Sequence, residues 1–140
     1  MSVKTTTHLN FRGEARAALE FYAAVFDGRL VAVTYKDAGA VAAPAEADKI
    51  MWGQVEAENG FRIMAYDVPS RLDLATGVIP FFVSLRGTDA DELAELWGKL
   101  AADAAIVQPF GPAGWSPLYG MLKDRFGVTW VVDLEVPYQA

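Results

Sequence analysis

Apolar and polar positions recur along this chain with two periods, and glycines mark where one period gives way to the other. From Thr5 to Arg12 the period is two: Leu9 and Phe11 fall on one face, His8, Asn10 and Arg12 on the other, which predicts a strand. Gly13 breaks it. Over Glu14 to Asp27 the apolar residues Ala15, Ala18, Leu19, Tyr22, Val25 and Phe26 recur at helical spacing, and Gly28 follows as a C-terminal cap. Arg29 to Lys36 alternates again. Asp37 to Asp48 is Ala/Gly/Pro-rich and has no period of its own; a loop of that length in a compact fold is either mobile or functional. Two further strands, Ile50 to Ala57 and Phe61 to Asp67, are joined by Glu58-Asn59-Gly60, a strong hairpin signal.

After a linker from Val68 to Gly77 the order repeats. Ile79 to Arg86 reads as a strand broken by Gly87. Thr88 or Asp89 then caps an amphipathic helix to about Ala102, with Leu93, Leu96, Trp97 and Leu100 on its buried face. Ala104 to Phe110 is a short strand and Gly111 to Ser116 a loop. A closing hairpin follows, its two arms turning at Asp124-Arg125-Phe126-Gly127, where glycine takes positive φ at least cost. Phe11-Arg12-Gly13 aligns with Leu85-Arg86-Gly87, and Gly60 to Ala65 with Gly127 to Val132. The pattern predicts an α+β chain of two βαβββ repeats, 5–67 and 79–136, within a single domain spanning 1–140.

Composition narrows the chemistry. Eighteen acidic against twelve basic residues leave a net charge of −6, which argues against nucleic acid as a partner. No apolar run reaches membrane-spanning length, and the first residues lack the hydrophobic segment of a signal peptide, so no membrane partner and a cytoplasmic location are expected. The chain has no Cys, which removes disulfides, thiolate metal sites and thiol catalysis. There is no GxGxxG or GxxxxGK[ST] loop and no nucleophile-elbow serine. The pairs Asp124 with Asp133 and Glu56 with Asp67 are available carboxylates, but acidic residues near turns are usually solvated or capping.

Two stretches resemble a known family. Ala18 to Gly28 (ALEFYAAVFDG) and Gly120 to Asp133 (GMLKDRFGVTWVVD) are similar to the first helix and closing hairpin of the vicinal-oxygen-chelate superfamily. That superfamily includes glyoxalase I, bleomycin-resistance proteins and ring-cleaving dioxygenases, and the second stretch looks most like its PhnB-like branch. The resemblance implies a half-open eight-stranded barrel around a cleft, and commonly a homodimer. Metal-dependent members hold a divalent ion with one side chain from the first and last strand of each half. Those positions fall here on Thr6, Met64, Pro80 and Val131, of which none is a competent ligand. The expectation is therefore no metal site and no cofactor.

With Leu9, Phe11, Phe81, Val83 and Leu85 packed on the helices, alternation gives the cleft His8, Asn10, Trp52, Gln54, Met64, Tyr66, Phe82, Ser84 and Val131. Trp115 and Tyr119 join them from the closing loop and strand, and Met51 points the other way. His8, the one histidine, is the candidate catalytic group if there is turnover. An apolar cleft with few polar groups suits a small, planar organic ligand. The leading expectation is a metal-independent protein that binds or sequesters a small organic molecule. The alternative is a glyoxalase-like lyase or isomerase acting on a small vicinal-oxygen substrate, so enzymatic activity stays open. A dimeric module without ligand, its barrel filled by these aromatics, is the third reading.

Overall fold

The computed structural model describes residues 4–75, 77 and 79–136; Thr76 of the expected linker lies outside them. The chain divides into two compact units, Met1–Ala75 and Thr76–Ala140. In the first, β1 (Thr7–Phe11), α1 (Ala15–Phe26), β2 (Arg29–Thr34), β3 (Ile50–Glu56) and β4 (Arg62–Asp67) make a sheet of order β1-β4-β3-β2. In the second, β5 (Val83–Gly87), α2 (Ala90–Leu100), β6 (Ala105–Ala113), β7 (Ser116–Lys123) and β8 (Thr129–Leu134) make a sheet of order β5-β8-β7-β6. In each, the first strand lies parallel to the last and the other pairs are antiparallel. Two βαβββ repeats of α+β class are thus present, as the periodicity and the resemblance imply.

Alternation buries one face of each sheet beneath its helix. In the first unit Leu9, Phe11, Val55, Ile63 and Ala65 are buried with Ala15, Ala18, Leu19, Tyr22, Val25 and Phe26 of α1. In the second, Val83, Leu122, Trp130 and Val132 are buried with Leu93, Leu96 and Leu100 of α2. Trp97 is half-buried and stacks on Phe110, with ring centroids 5.0 Å apart. Trp130 is fully buried, and its indole Nε1 donates to Asp124 Oδ2 at 2.9 Å. Asp124 Oδ1 also accepts from the Phe126 and Val128 N–H groups, so this carboxylate shapes the closing turn.

Several boundaries differ from the periodic reading. The left-handed residue ending α1 is Asp27 (φ 52°), not Gly28. Gly28 is needed for close approach instead, since a Cβ there would sit 2.7 Å from Val55 Cγ1. β5 begins at Val83, and Phe81, assigned to the helix side, is 52% exposed ahead of the strand. Pro80, lacking an N–H, cannot extend the ladder. β6 runs on to Ala113, through Pro109, Gly111 and Pro112 that sequence placed at a strand end and in a loop. It is an edge strand with repeated register shifts, where missing donors are tolerated.

The helix starts are held differently. Asp89 caps α2 locally, its carboxylate accepting from the Asp91 and Glu92 N–H groups. In α1 the residue at the cap position, Glu14, makes no capping bond. Asp67, 1% exposed at the end of β4, does so from across the sheet. Its Oδ1 accepts from the N–H of Gly13 at 2.6 Å and of Ala15 at 3.1 Å, and its Oδ2 from Ile50 N–H at 2.9 Å.

Candidate functional site: a polar-edged face and an adjoining pocket

On the face of the first sheet away from α1, the ladder sets side chains in rows. His8 lies opposite Met64, Met64 opposite Gln54, and Gln54 opposite Val31. The next row holds Asn10 opposite Tyr66, and Trp52 opposite Val33. The His8 ring meets the Tyr66 ring edge-on, with centroids 5.1 Å apart. At the near end of the face Arg62 Nε donates to Thr6 Oγ1 at 2.7 Å, and Gln54 Nε2 to Glu56 Oε2 at 3.4 Å. The six residues expected from this half, His8, Asn10, Trp52, Gln54, Met64 and Tyr66, therefore share one face.

In the second unit Ser84 lies opposite Val131, and Val131 opposite Met121. Arg86 and Asp133 pair in the next row, with Arg86 Nε 3.3 Å from either carboxylate oxygen, and Tyr119 follows opposite Asp133. Trp115 is 67% exposed in the β6–β7 turn and contacts Tyr119 edge-on at 5.1 Å. Phe82 precedes β5 and is also exposed. Phe110 belongs to the other side, stacked on α2.

A pocket of about 280 Å³ opens at the end of the first unit's face. Tyr66 joins it to the rows above; Tyr35, Met51, Pro69 and Leu72 supply the rest of its apolar wall. Ala40 and Ala42 of the patternless loop close one side, and Glu46 and Arg71 add charge. Met51 was expected to point toward the helix. A bulge reverses this: Val33 pairs with Trp52 but Thr34 with Ile50, so Met51 is the extra residue in β3 and its side chain is re-aimed. The Tyr35 hydroxyl donates to the Asp67 carbonyl at 2.6 Å, and burial above all pushes its pKa up.

Glu46 sits in a short 3₁₀ turn (Pro44–Glu46) and is 6% exposed. Its Oε1 accepts from Ser70 Oγ at 2.6 Å, and both oxygens lie 3.3 Å from the Ser70 N–H. The bond from the Ser70 hydroxyl outweighs burial and holds the carboxyl below its ordinary pKa. Arg12 braces the segment around Ser70, donating to the carbonyls of Leu72 at 2.6 Å and Pro69 at 3.4 Å. Of these pocket residues sequence reasoning named only Tyr66 for the site. For Ala40, Ala42 and Glu46 the signal was the length of the patternless loop itself.

The superfamily's metal is not matched by these donors. The ladder puts His8 opposite Met64 and Ser84 opposite Val131. Likewise Phe11 closes β1 and Gly87 closes β5, two residues beyond the Leu85 that the sequence repeat equated with Phe11. Together with Met64 and Val131, His8 and Ser84 offer one imidazole among thioether, hydroxyl and alkyl groups, which does not make a divalent-metal site. Among the described residues no group of three or more His, Cys, Asp or Glu side chains could hold a metal ion. The N-termini of both helices, natural seats for phosphate or carboxylate, are already filled by Asp67 and Asp89.

A family model described as 3-demethylubiquinone-9 3-methyltransferase matches residues 3–133. The chain belongs to that family. Among solved structures it is similar to protein PA1353 from Pseudomonas aeruginosa, at 30% identity over 96% of this chain and 98% of that one, with a TM-score of 0.81. It is also similar to a putative 3-demethylubiquinone-9 3-methyltransferase, PhnB protein, from Bacillus cereus. There the identity is 27% over 95% of this chain and all of that one, with a TM-score of 0.72. A glyoxylase/bleomycin resistance protein/dioxygenase domain from Frankia shares the fold at 14% identity, 97% and 99% coverage and a TM-score of 0.65. Comparison with curated proteins found no match. The resemblance carried by the first helix and the closing hairpin therefore holds: this is a PhnB-like chain with the fold of the glyoxalase/bleomycin resistance/dioxygenase domains.

Proposed function

We propose that this PhnB-like chain binds, and thereby sequesters, a small organic molecule without a resident metal ion. The pocket beside Tyr66 carries this reading. It is walled largely by aromatic and aliphatic groups with few polar ones, the composition expected of a small-molecule site. Its volume suits a compact ligand, equal to roughly nine waters of liquid at about 30 Å³ each. His8, Asn10, Trp52, Gln54 and Met64 extend the recognition surface along the same face. In the second unit Phe82, Ser84, Val131, Trp115 and Tyr119 form a surface of their own for ligand contact. The poverty of metal donors supports metal independence. The family description names a methyl transfer, but no glycine-rich nucleotide loop occurs in the chain and both helix N-termini are filled, so no methyl-donor site is derived. A single cytoplasmic domain that pairs as a homodimer completes the proposal.

Metal content after purification without chelator tests it. Substoichiometric divalent metal agrees with the proposal. One tightly held ion per chain would overturn it in favour of the glyoxalase-like lyase with His8 as a ligand.

A further inference from the structure

Three buried carboxylates in this chain are balanced very differently. Asp67 receives three backbone N–H groups, and Asp124 receives two together with an indole N–H. Glu46, almost as buried, is met by Ser70 alone, and its Oε2 has only the long 3.3 Å approach of the Ser70 N–H. No cation lies within ion-pair distance of it among the described residues. A carboxylate offers about four acceptor positions, and an ionised one out of water calls for a charged partner. Glu46 lines the pocket together with the rings of Tyr35 and Tyr66, whose faces attract cations as well. Arg71 also borders the pocket, but it is exposed, where water screens its charge.

Resting on the ligand-binding reading above, we infer that the pocket selects an organic cation: a compact aryl-alkyl ammonium whose charge is received by Glu46 and whose ring packs on Tyr35, Tyr66 and Met51. Glu46 Oε2, met only by the long Ser70 N–H contact, supplies the charge-assisted acceptor, and the apolar wall supplies the affinity for the ring.

Amide-resolved NMR titration of the intact chain with three matched probes tests this: 2-phenylethylammonium, 2-phenylethanol and 3-phenylpropionate. The ammonium should shift the amides of Ala40, Ala42, Glu46 and Ser70 with a Kd about tenfold below that of the alcohol, a gap of about 1.4 kcal/mol. In Glu46→Gln the gap should close to within about twofold. Equal binding of alcohol and ammonium, or tighter binding of the propionate, would refute cation selection while leaving the pocket as a ligand site. If none of the three moves those amides at roughly 10 mM, the reading of the pocket as a binding site itself fails. The wild-type series decides the question even if Glu46→Gln does not fold.

Discussion

Replacing Asp67 by alanine should be among the most damaging single changes in the first unit, because one side chain ties together the start of α1, the end of β4 and the start of β3. The substitution strands the N–H groups of Ala15 and Ile50, both fully buried, and removes the partner of Gly13, which is exposed enough to bond water. Each orphaned buried donor costs about 1–3 kcal/mol. Glu14 makes no capping bond that could take over, and no acidic residue lies in the first turn of α1. The sum is a loss of about 2–6 kcal/mol, a large part of the stability of an ordinary domain. At roughly 3–4 °C per kcal/mol for a chain of this size, Tm should fall by about 6–24 °C. Asp67→Asn keeps one acceptor but turns an amide donor toward the other N–H set, so it should recover about half of the loss. Urea unfolding followed by far-UV circular dichroism measures the free energy, and hydrogen exchange should show the Ala15 and Ile50 amides losing protection. A loss below about 1 kcal/mol for the alanine variant would mean that Asp67 does not carry these bonds alone.

Four further outcomes can be checked. Gly120→Ala places a Cβ 2.8 Å from the Trp97 ring and 3.0 Å from the Phe110 backbone, and should cost about 1–3 kcal/mol by urea unfolding. Gly53→Ala meets the movable end of Leu19, and should cost less. The Glu46–Ser70 bond lowers the carboxyl pKa, so it adds stability above the ordinary value of 4.5 and loses it as pH falls through the lower folded value. Ser70→Ala should therefore flatten the acid side of a Tm-against-pH curve. Trp130→Phe removes the indole donor from Asp124 inside a fully buried site, and should cost about 1–3 kcal/mol, seen as a lower urea midpoint.

Much of the fold was legible because it rests on local periods. The alternation of Leu9 and Phe11 and the helical spacing from Ala15 to Phe26 each follow from one buried face. The Asp124–Gly127 turn was readable too, with Gly127 at φ 86°. What escaped depends on partners distant in sequence. Nothing near Glu14 announces that its helix is capped by Asp67, and no period in residues 37–48 links Glu46 to Ser70. Met51 looked like a helix-facing residue because alternation assumes an unbroken ladder, and the bulge beside Val33 breaks it. β6 was cut short because Pro109, Gly111 and Pro112 read as loop, although an edge strand accepts them. The alternation that sets His8, Asn10, Gln54 and Met64 on one face of the first sheet was legible for the same local reason.

Ligand binding without metal at the pocket beside Tyr66 can be tested by following tryptophan emission and Tm together on chelator-stripped protein, titrated with small aromatic amines in the absence and presence of Mg, Mn, Ni or Zn. A ligand that binds only the native state must raise Tm. The expected result is a saturable rise that is indifferent to the metals and lost in Tyr66→Ala. A rise produced by a metal alone and abolished in His8→Ala would contradict it.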